Sequence, residues 1–202
     1  MEVSKTAIVF QGLQTDFCAP EGKLYPLLEE QLLKREFIPR ILRLLDEATE
    51  KGIRCYFVPI AFTHDYREIK NAEGILGAIR EAGAFVKGTT GAEPIPELKK
   101  RLDRKNIKEL PAKRGLCAFG TTALDNQLQA DGIETVAVAG LLTNVCVETT
   151  ARTAYDLGYR VVVINDATAT KSFEEQEASE KYMFPLLGSQ QSTSEFLSAV
   201  AA

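Results

Sequence analysis

The order of strands and helices along this 202-residue chain predicts an α/β fold. Two observations carry that expectation. The strand candidates are continuously apolar, as in IETVAVAG (133–140) and YRVVVIND (159–166). Such runs belong to parallel sheets covered by helices on both faces, because neither face of the strand meets water. Between them lie segments with apolar residues at helical spacing. A three-layer α/β/α arrangement with right-handed crossovers is expected.

The elements follow in order. TAIVFQ (6–11) is a short apolar run with β-branched residues, and reads as the first strand. Residues 12–30 read as a loop, from Gly12, Pro20, Gly22 and Pro26. In 34–51, Phe37, Ile38, Ile41, Leu42, Leu45 and Ala48 form a helical stripe, and Gly52 ends that helix. IRCYFVPI (53–60) is a second strand, stopped by Pro59. Residues 61–92 are irregular and glycine-rich, with a short helix around 73–82. A connection that long within a compact domain is often functional. Pro94 and Pro96 open a short helix through Leu98 to Arg101. IKELPAK (107–113) is a weak third strand, followed by a helix from Thr122 to Ala130 and the fourth strand. A helix over 145–157 is closed by Gly158, and the fifth strand follows. Residues 173–187 are a helix, and a brief extended piece precedes a last helix at 194–201. No linker, repeat or low-complexity stretch interrupts the chain, so 1–202 is expected to be a single domain.

Composition narrows the function. Hydrophobic content of 45% and charged content of 26% are ordinary for a soluble globular protein. A net charge of −4 gives no reason to expect nucleic acid or an anionic membrane as partner. No apolar stretch reaches the roughly 20 residues that span a bilayer. MEVSKTAIVF runs straight into a strand and leaves no room for a signal peptide. Cys18, Cys55, Cys117 and Cys146 are scattered, without CxxC spacing, which suits free thiols in a reducing cytoplasm. His64 is the single histidine, so a zinc site of several histidines is excluded.

GLLTNVCVETTAR (140–152) is the most informative stretch. An apolar run ends in Thr143-Asn144, and Cys146 follows at the start of a helix. Free backbone N–H groups and the helix dipole there favour a thiolate, and the same amides can hold an oxyanion. A small residue packing helix on sheet is the plainer reading of Cys146, and position alone does not separate the two. Active sites in parallel sheets lie at the carboxyl ends of the strands. Residues 12–16, Lys113 and 142–146 all fall at predicted strand ends, which favours the functional reading.

At these blocks the chain resembles the isochorismatase-like cysteine hydrolases, a family that includes nicotinamidases, N-carbamoylsarcosine amidases and isochorismatases. GLLTNVCVETTARTAYDLGYRVVVINDATAT (140–170) carries the most specific likeness, with FVKGTTGAEPIPEL (85–98) and KRGLCAF (113–119) as further blocks. The resemblance implies a six-stranded parallel sheet in the order 3-2-1-4-5-6. It implies Cys146 as nucleophile and Lys113 as catalytic lysine. It also implies a cis peptide at Leu142–Thr143, shaping an oxyanion hole with the Cys146 amide.

One departure stands out. The family has a catalytic acid at the end of the first strand, in a pattern like D-x-Q-x-D-F. Here the segment is GLQTDF (12–17), so Gly12 falls on the acid's position, while Asp16 and Phe17 match the end of the pattern. Gln11 is one residue earlier, and strand alternation is expected to turn it to the opposite face. Asp16 is the nearest acid, but would have to swing inward to act as base. Lys113 alone still favours the Cys146 thiolate, and without a counter-charge its field is stronger. Proton delivery to a leaving amine is what weakens.

Phe17, Phe62, His64, Phe85, Cys117 and Phe119 are the candidate pocket residues. The metal-binding relatives use an acid and two histidines near His64, a set one histidine cannot supply, so no metal or other cofactor is expected. The sequence reads as a cytoplasmic hydrolase that cleaves a small amide or related C–N bond through a Cys146 acyl-enzyme. The rival is an impaired relative that binds a small molecule or a protein. A vinyl-ether hydrolase of the isochorismatase type is disfavoured by Gly12, because that chemistry needs the acid. A homo-oligomer, dimer or tetramer, is expected by resemblance, with part of 61–92 near a neighbouring subunit.

Overall fold

The computed structural model describes residues 1–201. Six strands, Thr6–Gln11 (β1), Arg54–Val58 (β2), Ile107–Glu109 (β3), Thr135–Leu141 (β4), Arg160–Ala169 (β5) and Gly188–Gln191 (β6), form one sheet. All pairings are parallel and the order is 3-2-1-4-5-6. The helices are Thr15–Cys18 (α1), Glu29–Lys34 (α2), Phe37–Glu50 (α3), Gly74–Ala82 (α4), Pro96–Lys99 (α5), Leu124–Ala130 (α6), Glu148–Asp156 (α7), Phe173–Ala178 (α8), Phe184–Leu187 (α9) and Thr193–Ala199 (α10).

Burial explains the layers. Every residue of β1 and β4 is buried, as continuous apolar strands require. On one face, Ile8 and Phe10 of β1 join Phe37, Ile41, Leu44, Leu45 and Ala48 of α3 and Phe196 of α10. On the other, Ala7 and Val9 join Leu124 and Leu128 of α6, Ala151 and Ala154 of α7, and Phe184. Each large apolar side chain fully buried here contributes roughly 1.5–3 kcal/mol.

The structure departs from the sequence expectation in four places. Residues 12–30 are not all loop: α1 lies within them and α2 begins at Glu29. Four- and six-residue helices leave too little periodicity to show. The expected helix over 34–51 is instead the end of α2 and then α3, with Glu36 between them at φ 48°. The expected helix over 173–187 is α8 and α9 joined by a π-helical turn, Ser179–Met183. In addition, β5 runs on to Ala169, with its register against β4 shifting between Val138 and Gly140.

Candidate active site

Three chain segments meet at the carboxyl edge of the sheet. Gln11 closes β1 and pairs with Val58 of β2 and Gly140 of β4. Beyond β2, Ile60 forms a parallel bridge with Lys113, whose N–H donates to the Pro59 carbonyl at 2.8 Å. Beyond β4, a π-helical turn, Thr143–Val147, carries Cys146 into α7. The carbonyl of Leu142 accepts from the N–H groups of both Val145 and Val147, which fixes the start of that turn.

Lys113 is wholly buried and Cys146 is 3% exposed. The Lys113 Nζ donates to Gln11 Oε1 at 2.6 Å and to the Leu116 carbonyl. Gln11 is held in turn: Thr150 Oγ1 of α7 donates to its Oε1 at 3.2 Å, and its Nε2 donates to the Cys146 carbonyl at 3.4 Å. Burial pulls the Lys113 ammonium below the ordinary lysine range. A thiolate at Cys146 opposes that by charge and by hydrogen bonding, and Cys117 does so more weakly.

The turn itself is braced from α8. Thr143 Oγ1 donates to Gln176 Oε1 at 2.6 Å, and Gln176 Nε2 donates to Thr168 Oγ1 at 3.1 Å. Asn144 Nδ2 donates to Glu175 Oε2 at 3.2 Å, while Thr170 Oγ1 donates to Asn144 Oδ1 at 2.6 Å. The two side chains that open the turn ahead of Cys146 are therefore anchored, which fixes the direction of the turn's backbone amides.

Two expectations are corrected here. The cis peptide is Leu141–Leu142, one residue before the expected Leu142–Thr143. Leu142 belongs to the turn that follows, because its carbonyl already accepts the first turn's N–H groups. The second correction concerns Gln11. Alternation does place it on the same face as Val9, opposite Phe10, but that face is the one Lys113 and α7 share. Strand alternation gives the pleat of β1, but the face that holds the site is set by Lys113 and Thr150, which are remote in sequence.

Gly12 has φ +69°, and a Cβ there would lie 2.7 Å from the Leu141 carbonyl oxygen and 2.9 Å from the Leu141 Cβ. The position therefore has no room for a side chain of any kind. Asp16 is buried but faces elsewhere: its carboxylate accepts from the N–H of Phe85 at 2.6 Å and of Lys23 at 3.1 Å. It joins α1 to the 83–92 loop.

The pocket candidates divide. Phe17 packs edge-on against Phe85 at 4.7 Å, and Phe17 and Leu142 line an apolar cavity of about 310 Å³ with Leu24, Leu28, Ile75 and Ile79. Phe62 is buried beside Tyr66 and borders a separate, charged cavity of about 740 Å³ near Glu68 and Arg114. His64 is exposed on the turn after β2. Cys117 Sγ donates to Thr153 Oγ1 of α7 at 3.2 Å. Phe119 stacks on Tyr159 in the core that α7 shares, whereas Phe17 belongs to the core on the other face of the sheet. Among the described residues no group of three or more His, Cys, Asp or Glu could hold a metal, and no helix is long and apolar enough to cross a membrane.

Comparison with known proteins agrees with this architecture. The family described as Isochorismatase domain matches residues 6–195. The isochorismatase family protein YwoC of Bacillus subtilis is 34% identical over 165 residues, covering 82% of this chain and 84% of that protein. Nicotinamidase 3 of Arabidopsis thaliana is 36% identical over 122 residues, 60% of this chain and 61% of that one. A crystal structure of a cysteine hydrolase from Pseudomonas syringae superposes with a TM-score of 0.83, covering 98% of this chain and 93% of that one. At 22% identity that likeness speaks for the fold alone. With its sheet order, its cysteine turn and a match along nearly its whole length, the chain belongs to the isochorismatase family.

Proposed function

We propose that the protein is a cysteine hydrolase that cleaves a small amide or related C–N bond. The observation that carries this reading is buried Cys146, at the turn into α7, joined through Gln11 to a buried lysine at the carboxyl edge of the sheet. Cys146 attacks the carbonyl carbon, and amides of the 142–146 turn stabilise the oxyanion. Lys113 stabilises thiolate and intermediate, and water releases the acyl group. The cavity walled by Phe17 and Leu142 suits a small substrate with an apolar part. Relatives named as a nicotinamidase and a streptothricin hydrolase support amide hydrolysis as the reaction class. We place the enzyme in the cytoplasm, working without a cofactor and as a homo-oligomer.

A second reading has its own support. The side chain that meets Lys113 is an amide and not a carboxylate, and Gly12 carries none. A binding protein that has lost turnover would look the same. A vinyl-ether hydrolase has less support, because Asp16, the acid that follows Gly12 in the sequence, is occupied by two backbone N–H groups. Incubation with a panel of small amides decides between hydrolase and binder. Turnover by the wild type that Cys146→Ala abolishes supports the hydrolase, and binding without turnover supports the second reading.

A further inference from the structure

We infer that Gln176 is a positioning residue for acyl transfer at Cys146: it holds the Thr143 hydroxyl in one orientation and, through it, aims the backbone amides of the cysteine turn. This rests on the cysteine-hydrolase reading above, and specifies what keeps the oxyanion site of such an enzyme in shape.

Gln176 is a costly residue to bury. It lies in α8 and is 1% exposed, and Thr143 beside it is wholly buried. An amide taken out of water without partners is destabilising, whereas a leucine would gain from the same burial. Here both N–H groups of the amide and its oxygen are engaged. Nε2 donates to Thr168 Oγ1 at 3.1 Å and to Glu180 Oε1 at 2.6 Å, and Oε1 accepts from Thr143 Oγ1 at 2.6 Å. A buried polar network satisfied in this way fixes one arrangement of its members.

Two neighbours dictate which way the amide points. The Glu180 carboxylate can only accept. The Thr168 hydroxyl gives its single proton to the Asn165 carbonyl, at 3.2 Å, so toward Gln176 it too can only accept. The NH2 end of Gln176 therefore faces both, and its oxygen faces Thr143. Thr143 in turn has to donate. Arg35, between α2 and α3, holds the far side of this network. Its Nε donates to the Thr168 carbonyl at 3.0 Å and its Nη2 to the Asn165 carbonyl at 2.7 Å, with Glu180 3.8 Å away. The chain Arg35–Glu180–Gln176–Thr143 ends at the first residue of the turn that carries Cys146.

Such an anchor matters to acyl transfer and not to simple thiol chemistry. When the Cys146 sulfur attacks a carbonyl carbon, the C=O π pair moves to oxygen, and the amides of the turn must already point at that oxygen. When the sulfur displaces iodide from iodoacetamide, no oxyanion forms. A residue that only aims the amides affects the first reaction and spares the second. Asn144, the next residue of the turn, is anchored by Glu175 and Thr170 through partly exposed contacts. The Thr143–Gln176 bond is the buried anchor of the two.

The test compares two reactions of Cys146 in wild type, Gln176→Met, Thr143→Val and the double variant. The first is acetylation by p-nitrophenyl acetate: the C–S bond forms, the C–O bond breaks and nitrophenolate leaves with its electron pair. It is followed as the nitrophenolate release that Cys146→Ala removes. The second is alkylation by iodoacetamide, read by mass spectrometry of the Cys146 peptide. Either single variant should slow acetylation at least about tenfold while alkylation stays within about twofold of wild type. The double variant should lose about as much as one single variant, because both substitutions remove the same bond. Acetylation unchanged in Gln176→Met overturns the proposal, as do the two reactions falling together or single losses that multiply. Where Gln176→Met fails to fold, Glu180→Gln takes its place. It keeps the packing and releases the amide's orientation, so acetylation should slow by about threefold or more with alkylation unchanged. Acetylation at the wild-type rate in Glu180→Gln then overturns the proposal. So does a wild-type protein that alkylates at Cys146 but releases no more nitrophenolate than Cys146→Ala. If the two reactions separate as expected while no amide is turned over, the hydrolase reading fails and the role of Gln176 stands.

Discussion

The Lys113 Nζ donates to Gln11 Oε1 at 2.6 Å inside a site where both side chains are fully buried. That bond links the end of β1 to the segment beyond β3, across β2. It also determines where charge resides. An amide oxygen accepts from the ammonium without neutralising it, so the lysine's field is spent on the cysteine beside it.

The first prediction concerns reactivity. At neutral pH Cys146 should alkylate faster than Cys18, Cys55 or Cys117. Burial pushes the thiols of Cys18 and Cys55 far up, and no cation stands beside Cys18. Cys117 is partly exposed but bonded to Thr153. Competitive labelling followed by peptide mass spectrometry measures the order. Cys146 labelling no faster than the other three would remove the reactive-thiol reading.

The sheet was legible because apolar runs and helical stripes alternate without interruption. The Cys146 turn was legible because Thr143-Asn144 ends an apolar strand and a helix pattern follows. What escaped was local. The helices α1 and α2 are too short to show a period. Position 12 is read from the sequence as a missing acid, yet its backbone conformation and its contact with Leu141 exclude any side chain. The pleat of β1 correctly opposes Gln11 to Phe10. The face holding the site, however, is set by α7 and Lys113, which lie more than 100 residues away in sequence.

The contact with Leu141 also decides what an acid placed at position 12 would do. Gly12→Asp should lower stability by at least about 2 kcal/mol, from positive φ and a collision with backbone. Gly12→Ala should lose nearly as much, because the Cβ alone makes the clash. Urea unfolding of both variants measures it. A Gly12→Asp protein as stable as wild type, with raised amide turnover, would return the acid's position to residue 12.

Assembly is separately testable. The 61–92 segment packs into its own core through Phe62, Ile69, Ile79 and Phe85. Its length is thus partly explained within one chain. The expectation of a homo-oligomer rests instead on family resemblance. Sedimentation velocity at micromolar concentration should give a dimer or tetramer, and a monomer there counts decisively against it.

Asp16 supplies the last prediction. Its carboxylate receives two backbone N–H groups, from Phe85 and Lys23, in a buried setting. Asp16→Asn keeps one acceptor oxygen and turns the other into a donor facing an N–H. One buried N–H is then left without a partner, at a cost of about 1–3 kcal/mol. Phe85 sits at φ 57°, an unfavourable backbone for an aromatic residue, so its amide depends on that acceptor. The expected outcome is a lower unfolding midpoint and a looser 83–92 loop, seen by hydrogen exchange. Cys146 alkylation should keep its wild-type pH dependence, because Asp16 does not face the thiol. If Asp16→Asn leaves stability unchanged while abolishing amide turnover, then Asp16 is the base.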